Sequence, residues 1–218
     1  MTKDNHSDRH PAFGPEHKLY FSRSFGPFTK TLCRLSDNGE AIELTDRVEN
    51  VLDTCPSVSP DGEKIVYVRE EVKNDDQRYL YISGLWIADK EGNNQTKITI
   101  DDVANYFYNP EWSPNGDLIA SEAKILGSKE IATIKPNGTE FANMTKYSAP
   151  VPEGVCAKPL SGDTPSWAGR FVIFAEALPS STGKSDILIV NPMGNDLWVV
   201  TSDFYTNKCP VWVQLKRD

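Results

Sequence analysis

Pro110-Glu111-Trp112-Ser113-Pro114-Asn115-Gly116 is the stretch whose reading decides the fold. Its second proline presets φ and its glycine supplies φ > 0, so Pro-Asn-Gly predicts a tight turn. The apolar run Leu118-Ile119-Ala120 follows, and the whole reads as a β-hairpin. Pro56-Ser57-Val58-Ser59-Pro60-Asp61-Gly62 repeats it almost residue for residue and leads into Ile65-Val66-Tyr67-Val68. Pro165-Ser166-Trp167-Ala168-Gly169 is a shortened copy ahead of Phe171-Val172-Ile173-Phe174, and Pro210-Val211-Trp212 is a fourth. Self-similarity of this kind marks a repeat architecture.

Each copy has a second hairpin behind it. Leu85-Trp86-Ile87-Ala88 turns at Gly92, Ile131-Ala132-Thr133-Ile134 at Gly138, and Ile187-Leu188-Ile189-Val190 at Gly194; each returns to a Thr (Thr99, Thr145, Thr201). Leu32-Cys33-Arg34-Leu35, turning at Gly39 and ending at Thr45, is an earlier member of the series. With strands labelled a to d outward from a central channel, three units carry all four strands. The N-terminal unit carries b (Leu19-Tyr20-Phe21-Ser22), c and d. The expectation is an all-β fold, a four-bladed β-propeller whose C-terminal strand (209–213) completes the N-terminal blade. Such closure removes open sheet edges. The complementary ends favour this over half of a larger ring paired with another chain. Residues 18–218 are then one propeller domain, and the polar segment 1–17 is a disordered or loosely packed tail.

The pattern Pro-x-Trp-Ser-Pro-Asn/Asp-Gly, two apolar strands, Gly turn, Leu/Met/Ile-Thr resembles the TolB-like, or WD-repeat-like, β-propeller repeat. The resemblance covers nearly all of residues 18–213 and implies a propeller scaffold for protein–protein contacts; related propellers carry lyase or peptidase accessory roles. This sequence departs from the family at Val58, in the shortened fourth copy, and in its low number of blades, since most relatives have six or more.

The net charge is -8 and the pI near 5.0. Without a basic surface, binding to nucleic acid or to an anionic membrane through bulk electrostatics is not expected. No apolar stretch approaches a bilayer span and the N-terminus does not read as a signal peptide, so a cytoplasmic location is expected for a full-length chain. Cys33, Cys55, Cys156 and Cys209 lack metal-ligand spacing, and neither a metal nor a cofactor is expected.

The strand ends and longer loops between d and a and between b and c share one face, where binding residues concentrate on rigid scaffolds. Aligned at the end of strand b, Arg23, Arg69, Glu122 and Glu176 occupy equivalent places around the channel mouth. Two readings stand: a structural ring of salt bridges, or a site in which Glu122 and Glu176 are candidate catalytic carboxylates. Just before each repeat proline lie Cys55, Asn109, Thr164 and Cys209. Cys55 and Cys209 read as inert thiols, a redox pair or a soft-metal or nucleophilic site. Tyr108 and Tyr205 bring aromatic surface to the same loops. The first functional reading is a monomeric binding module holding a protein, peptide or small ligand at this mouth. The alternatives are lyase- or isomerase-like acid/base chemistry there, and a structural domain without a ligand.

Overall fold

The threonines that end each repeat have a common job. Backbone N–H groups at the start of Leu32, Leu85, Ile131 and Ile187 donate to the hydroxyl oxygens of Thr45, Thr99, Thr145 and Thr201 at 3.0, 3.1, 3.0 and 2.9 Å. Those four N–H groups lie where the outermost strand has ended, and a buried unpaired donor costs free energy. The hydroxyl takes the place of the missing carbonyl. One residue earlier, Leu44, Ile98, Met144 and Val200 donate their N–H to the carbonyls of the same four residues. Among the described residues this lock occurs four times.

The computed structural model describes residues 5–74, 78–99, 104, 106–145, 162–177, 185–192 and 196–201, with Glu16, 162–164 and 176–177 described by their backbone alone. The strands form four antiparallel meanders. The first is β1 (Ser7–Phe13), β2 (Leu19–Gly26), β3 (Thr29–Leu35) and β4 (Ala41–Glu43). The second is β5 (Val51–Val58), β6 (Lys64–Asn74), β7 (Tyr79–Asp89) and β8 (Thr96–Lys97). The third is β9 (Phe107–Trp112), β10 (Ile119–Ile125), β11 (Ser128–Ile134) and β12 (Ala142–Asn143). The fourth is β13 (Gly162–Ala168), β14 (Phe171–Ala177), β15 (Ser185–Val190) and β16 (Leu197–Val199). The first two meanders are joined by a short parallel ladder, Thr29 with Val51 and Lys30 with Leu52, into one eight-stranded sheet. The other two are separate four-stranded sheets, and among the described residues no sheet closes on itself.

Period-2 alternation on the middle strands buries both faces. Ile65 and Tyr67 pack toward the first meander, Val66 and Val68 toward the third. These side chains are fully buried, and burial of each contributes about 1.5–3 kcal/mol. The turn glycines fit between neighbours. A Cβ on Gly92 (φ +85) would overlap the Leu44 carbonyl of the preceding meander, and one on Gly138 would come within 2.9 Å of the Ile98 carbonyl.

The N-terminal segment departs from the expectation of a loose tail. Residues 7–13 are β1, paired with β2 through Ser7 opposite Ser24, Asp8 opposite Arg23 and Phe13 opposite Leu19. Pro11-Ala12-Phe13-Gly14-Pro15 is itself a copy of the Pro-x-aromatic-x-Pro unit, so the first meander has its own inner strand. The inner place assigned to 209–213 is held by β1; residues 209–213 themselves lie outside the described residues. The connection between b and c in the second repeat, expected as one of the longer loops, is mostly the paired continuation of β6 and β7, with Val72 opposite Tyr81 and Asn74 opposite Tyr79.

Candidate functional site

Each inner strand breaks its ladder at one point, and the break aims side chains at the centre. Register shifts fall between Arg9 and Ala12, between Thr54 and Ser57, and between Asp163 and Ser166 on β1, β5 and β13; on β10 the shift lies between Ala120 and Glu122. His10, Cys55 and Asn109, each immediately before the repeat proline, have φ of 52°, 50° and 46°. Left-handed backbone at non-glycine residues is uncommon, and its recurrence at a bulge is a designed feature. The inner strands of all four meanders contribute to a cavity of about 1000 Å³, whose lining includes His10, Phe13, Cys55, Asn109, Glu111 and Ser166.

The charged ring resolves into separate pairs. The Arg23 guanidinium donates from Nε and Nη2 to both Asp8 oxygens at 2.8 Å. Arg69 does the same to Asp53 at 2.7 and 2.8 Å and adds a bond to Gln95 Oε1 at 2.8 Å, its guanidinium standing 4.6 Å from the Trp86 ring. Two parallel N–H···O bonds match the guanidinium fork to a carboxylate. Glu122, 3% exposed, accepts from Asn109 Nδ2 at 2.7 Å and lies 3.8 Å from Lys129 Nζ.

The four strand-end residues are not equivalent. Asp8 faces Arg23 and Asp53 faces Arg69; the same ladder position on β10 is Ala123, opposite Phe107, and on β14 it is Glu176, opposite Gly162. Glu122 is one residue out of that register, opposite Tyr108, in the position of Ser22, Val68 and Ala175. A slip of one residue moves a side chain to the other face of a strand. Glu122 and Glu176 therefore do not form the expected pair of equivalent carboxylates, and the side chain of Glu176 lies outside the described residues. Thr164 is placed on β13 by its backbone alone; Cys209 and Tyr205 lie outside the described residues.

The structure adds a residue the sequence reading left in the tail. His10 Nε2 stands 3.1 Å from the Tyr108 hydroxyl, and its Nδ1 is 2.9 Å from Ser22 Oγ. Ser22 Oγ donates onward to the Arg9 carbonyl at 3.1 Å, so it receives its other bond from Nδ1–H. Nε2 is then the acceptor for the Tyr108 O–H. One directed chain thus runs from Tyr108 of the third meander through His10 and Ser22 to the Arg9 carbonyl of the first. Burial, then Lys30 and Arg9, hold the His10 imidazole below its usual pKa. Burial pushes both the Cys55 thiol and the Tyr108 phenol up, which disfavours the thiolate form of the free, buried Cys55. Glu111 in the cavity wall is likewise pushed up by burial. Tyr106 stacks on Tyr108, ring centroids 6.0 Å apart. Among the described residues no three His, Cys, Asp or Glu side chains are grouped to hold a metal ion.

The His10 arrangement sets a pH dependence. An unfolded chain protonates His10 near pH 6.5 while the folded chain resists the proton, so the stability His10 contributes is complete above that pH and is lost as pH falls below it. The stability difference between the wild type and His10→Gln should therefore shrink between pH 7 and 5 in urea titrations. Buried Glu70, Glu111 and Glu130, pushed up by burial, act in the opposite sense but are common to both chains. A difference that is flat, or that grows toward pH 5, would contradict the neutral imidazole.

Comparison with known proteins shows the class first. Among solved structures the chain is similar to oligogalacturonate lyase from Vibrio parahaemolyticus (12% identity, TM-score 0.65, 88% of this chain and 53% of that one). It is also similar to the β-propeller domain of the Trilobed protease from Pyrococcus furiosus, whose topology is an open velcro (16%, TM-score 0.54, 90% and 57%). The fold is a β-propeller. Within that class it is a TolB-like propeller fold: a protein assigned as TolB from Agrobacterium tumefaciens matches over 92% of this chain and 68% of its own, with 13% identity and a TM-score of 0.68. The chain spans about half the length of the lyases it matches. No family model and no curated protein sequence matches it.

Proposed function

We propose that the protein is a binding module, a propeller with the four meanders as its blades, which holds a small polar ligand in the cavity between its inner strands. The observation that carries this reading is the cavity itself. Its wall mixes apolar surface from Phe13 and the repeat prolines with a few convergent polar groups, His10, Asn109, Glu111 and Ser166, which is the usual composition of a ligand site. The neutral imidazole of His10 and the carboxyl of Glu111, biased toward its protonated form, favour an uncharged or singly anionic ligand rich in hydroxyl groups. Neighbours include lyases that act on oligogalacturonate, which makes uronates the natural first probes. The acid/base alternative loses its main support because Glu122 and Glu176 stand in different registers.

The test is a thermal-shift titration with galacturonate, digalacturonate and a set of dipeptides on the wild type, His10→Ala and Glu111→Gln. A ligand at a hundred times its Kd stabilises by about 2.7 kcal/mol. For a chain of this size that raises Tm by roughly 5–10 °C. The expected result is a shift of that order for one probe class, reduced at least about tenfold in apparent affinity by either substitution. No shift from any probe, or a shift both variants retain, would sink the proposal.

A further inference from the structure

β6 and β7 outgrow their blade. Each is eleven residues long, against seven for their counterparts β10 and β11 in the third blade. The outermost strand covers only part of β7. Thr96 pairs with Ile87 and Lys97 with Trp86; the Ile98 N–H then donates to the Leu85 carbonyl, and the Leu85 N–H to Thr99. Leu85 thus turns both its backbone groups outward. Every second residue of an antiparallel strand does the same, here Ser83, Tyr81 and Tyr79. Among the described residues no strand pairs with that edge.

Its side chains are exposed as well: Tyr79 51%, Leu80 38%, Tyr81 46% and Ile82 37%. Native sheets blunt an open edge with a charge, a proline or a bulge. Tyr79-Leu80-Tyr81-Ile82-Ser83 has no charge and no proline, and its ladder with β6 is unbroken. An apolar run on an open edge is a template for another strand.

We infer that this edge pairs with the same edge of a second copy of the chain, antiparallel about a two-fold axis at Tyr81. Tyr81 exchanges its N–H and C=O with the partner's Tyr81; Tyr79 faces the partner's Ser83, and Leu80 the partner's Ile82. Charge selects this register. On β6, Lys73 stands opposite Leu80 and Glu71 opposite Ile82. Each row across the joined sheet then reads Lys73, Leu80, the partner's Ile82, the partner's Glu71, apolar in the middle and oppositely charged at its ends. A slip of two residues, the smallest that keeps the backbone pairing, lines Lys73 up with the partner's Lys73 in one direction. In the other it lines Glu71 up with the partner's Glu71. Two-fold pairing uses both edges, so association closes at the dimer.

Sedimentation velocity of the full chain tests the pairing. The contact is smaller than a standard interface, so the concentration series runs from about 1 μM to about 1 mM. Expected is one step, from one chain to two. Tyr81→Lys and Tyr81→Glu each set like charges opposite one another at the axis, and each should weaken the dimer at least about tenfold. Both change an exposed side chain, so their thermal midpoints should stay near that of the wild type. An equimolar mixture of the two variants should dimerise again. A wild type that stays monomeric throughout, growth beyond dimers, or a mixture no more dimeric than either variant alone would overturn the inference.

Discussion

Arg69→Met should destabilise the fold by about 3–5 kcal/mol, because it leaves the Asp53 carboxylate buried without its partner. Asp53 is 0% exposed and takes two charge-assisted bonds from Arg69, whose guanidinium is further fixed by Gln95 and by the Trp86 ring. The same substitution at Arg34, paired with exposed Glu91 at 3.0 Å, should cost less than about 1 kcal/mol, since solvent screens that pair. Equilibrium urea unfolding measures both. The decisive variant is the double Asp53→Leu/Arg69→Met, which removes both charges and should recover most of the loss. Equal instability of the double variant and Arg69→Met would mean that side-chain packing, not the charge pair, is what the position supplies.

Trp112→Ala is the second large effect, about 3–5 kcal/mol for emptying a packed aromatic site. The ring is buried among Val66, Val68, Leu85, Ile87, Ile119 and Ile134, so its loss opens a void between the second and third blades. Trp112→Phe refills most of that volume and forfeits the bond to the Ser57 carbonyl, which is worth about 1 kcal/mol net. Unfolding midpoints should fall in the order wild type, Trp112→Phe, Trp112→Ala. A Phe variant as unstable as the Ala variant would show that the indole N–H, rather than the area of the ring, holds the two blades together.

The turns were legible in the sequence because their chemistry is local. Gly62, Gly92, Gly116 and Gly138 all have positive φ, as their Pro-Asp/Asn-Gly and neighbouring signatures require. The repeated Thr was legible as a pattern, though its reason, the lock on a third-strand N–H beyond the end of the outermost strand, needs coordinates. The first copy of the repeat was hidden by a single residue. His17 stands where Gly62 and Gly116 stand and adopts φ of 59° without being glycine, so the turn lost its usual signature and the segment looked like a tail. The charged ring was misread at the third repeat, where Ala123, not Glu122, holds the ladder position of Arg69. The alternation of a strand's two faces has a period of two, so aligning Glu122 with Arg69 because both are charged, one residue off, moved it to the wrong face. Glu176 keeps the register, although the Ala168-Gly169-Arg170 turn makes the fourth repeat two residues shorter. The pairs Asp8–Arg23 and Asp53–Arg69, and the chain through His10, join residues that only strand pairing brings together.

The parallel ladder between β3 and β5 gives the molecule an uneven grain. Most blade junctions here are side-chain contacts, which a local fluctuation can separate without breaking a sheet. Between the first and second blades the backbone itself is shared through Thr29, Lys30, Val51 and Leu52. Opening that seam means rupturing main-chain hydrogen bonds as well as apolar contacts, so the first eight strands are expected to open together. Partial unfolding should then start in the later repeats, leaving the aspartate–arginine pairs and His10 protected longest, which native-state hydrogen exchange would read.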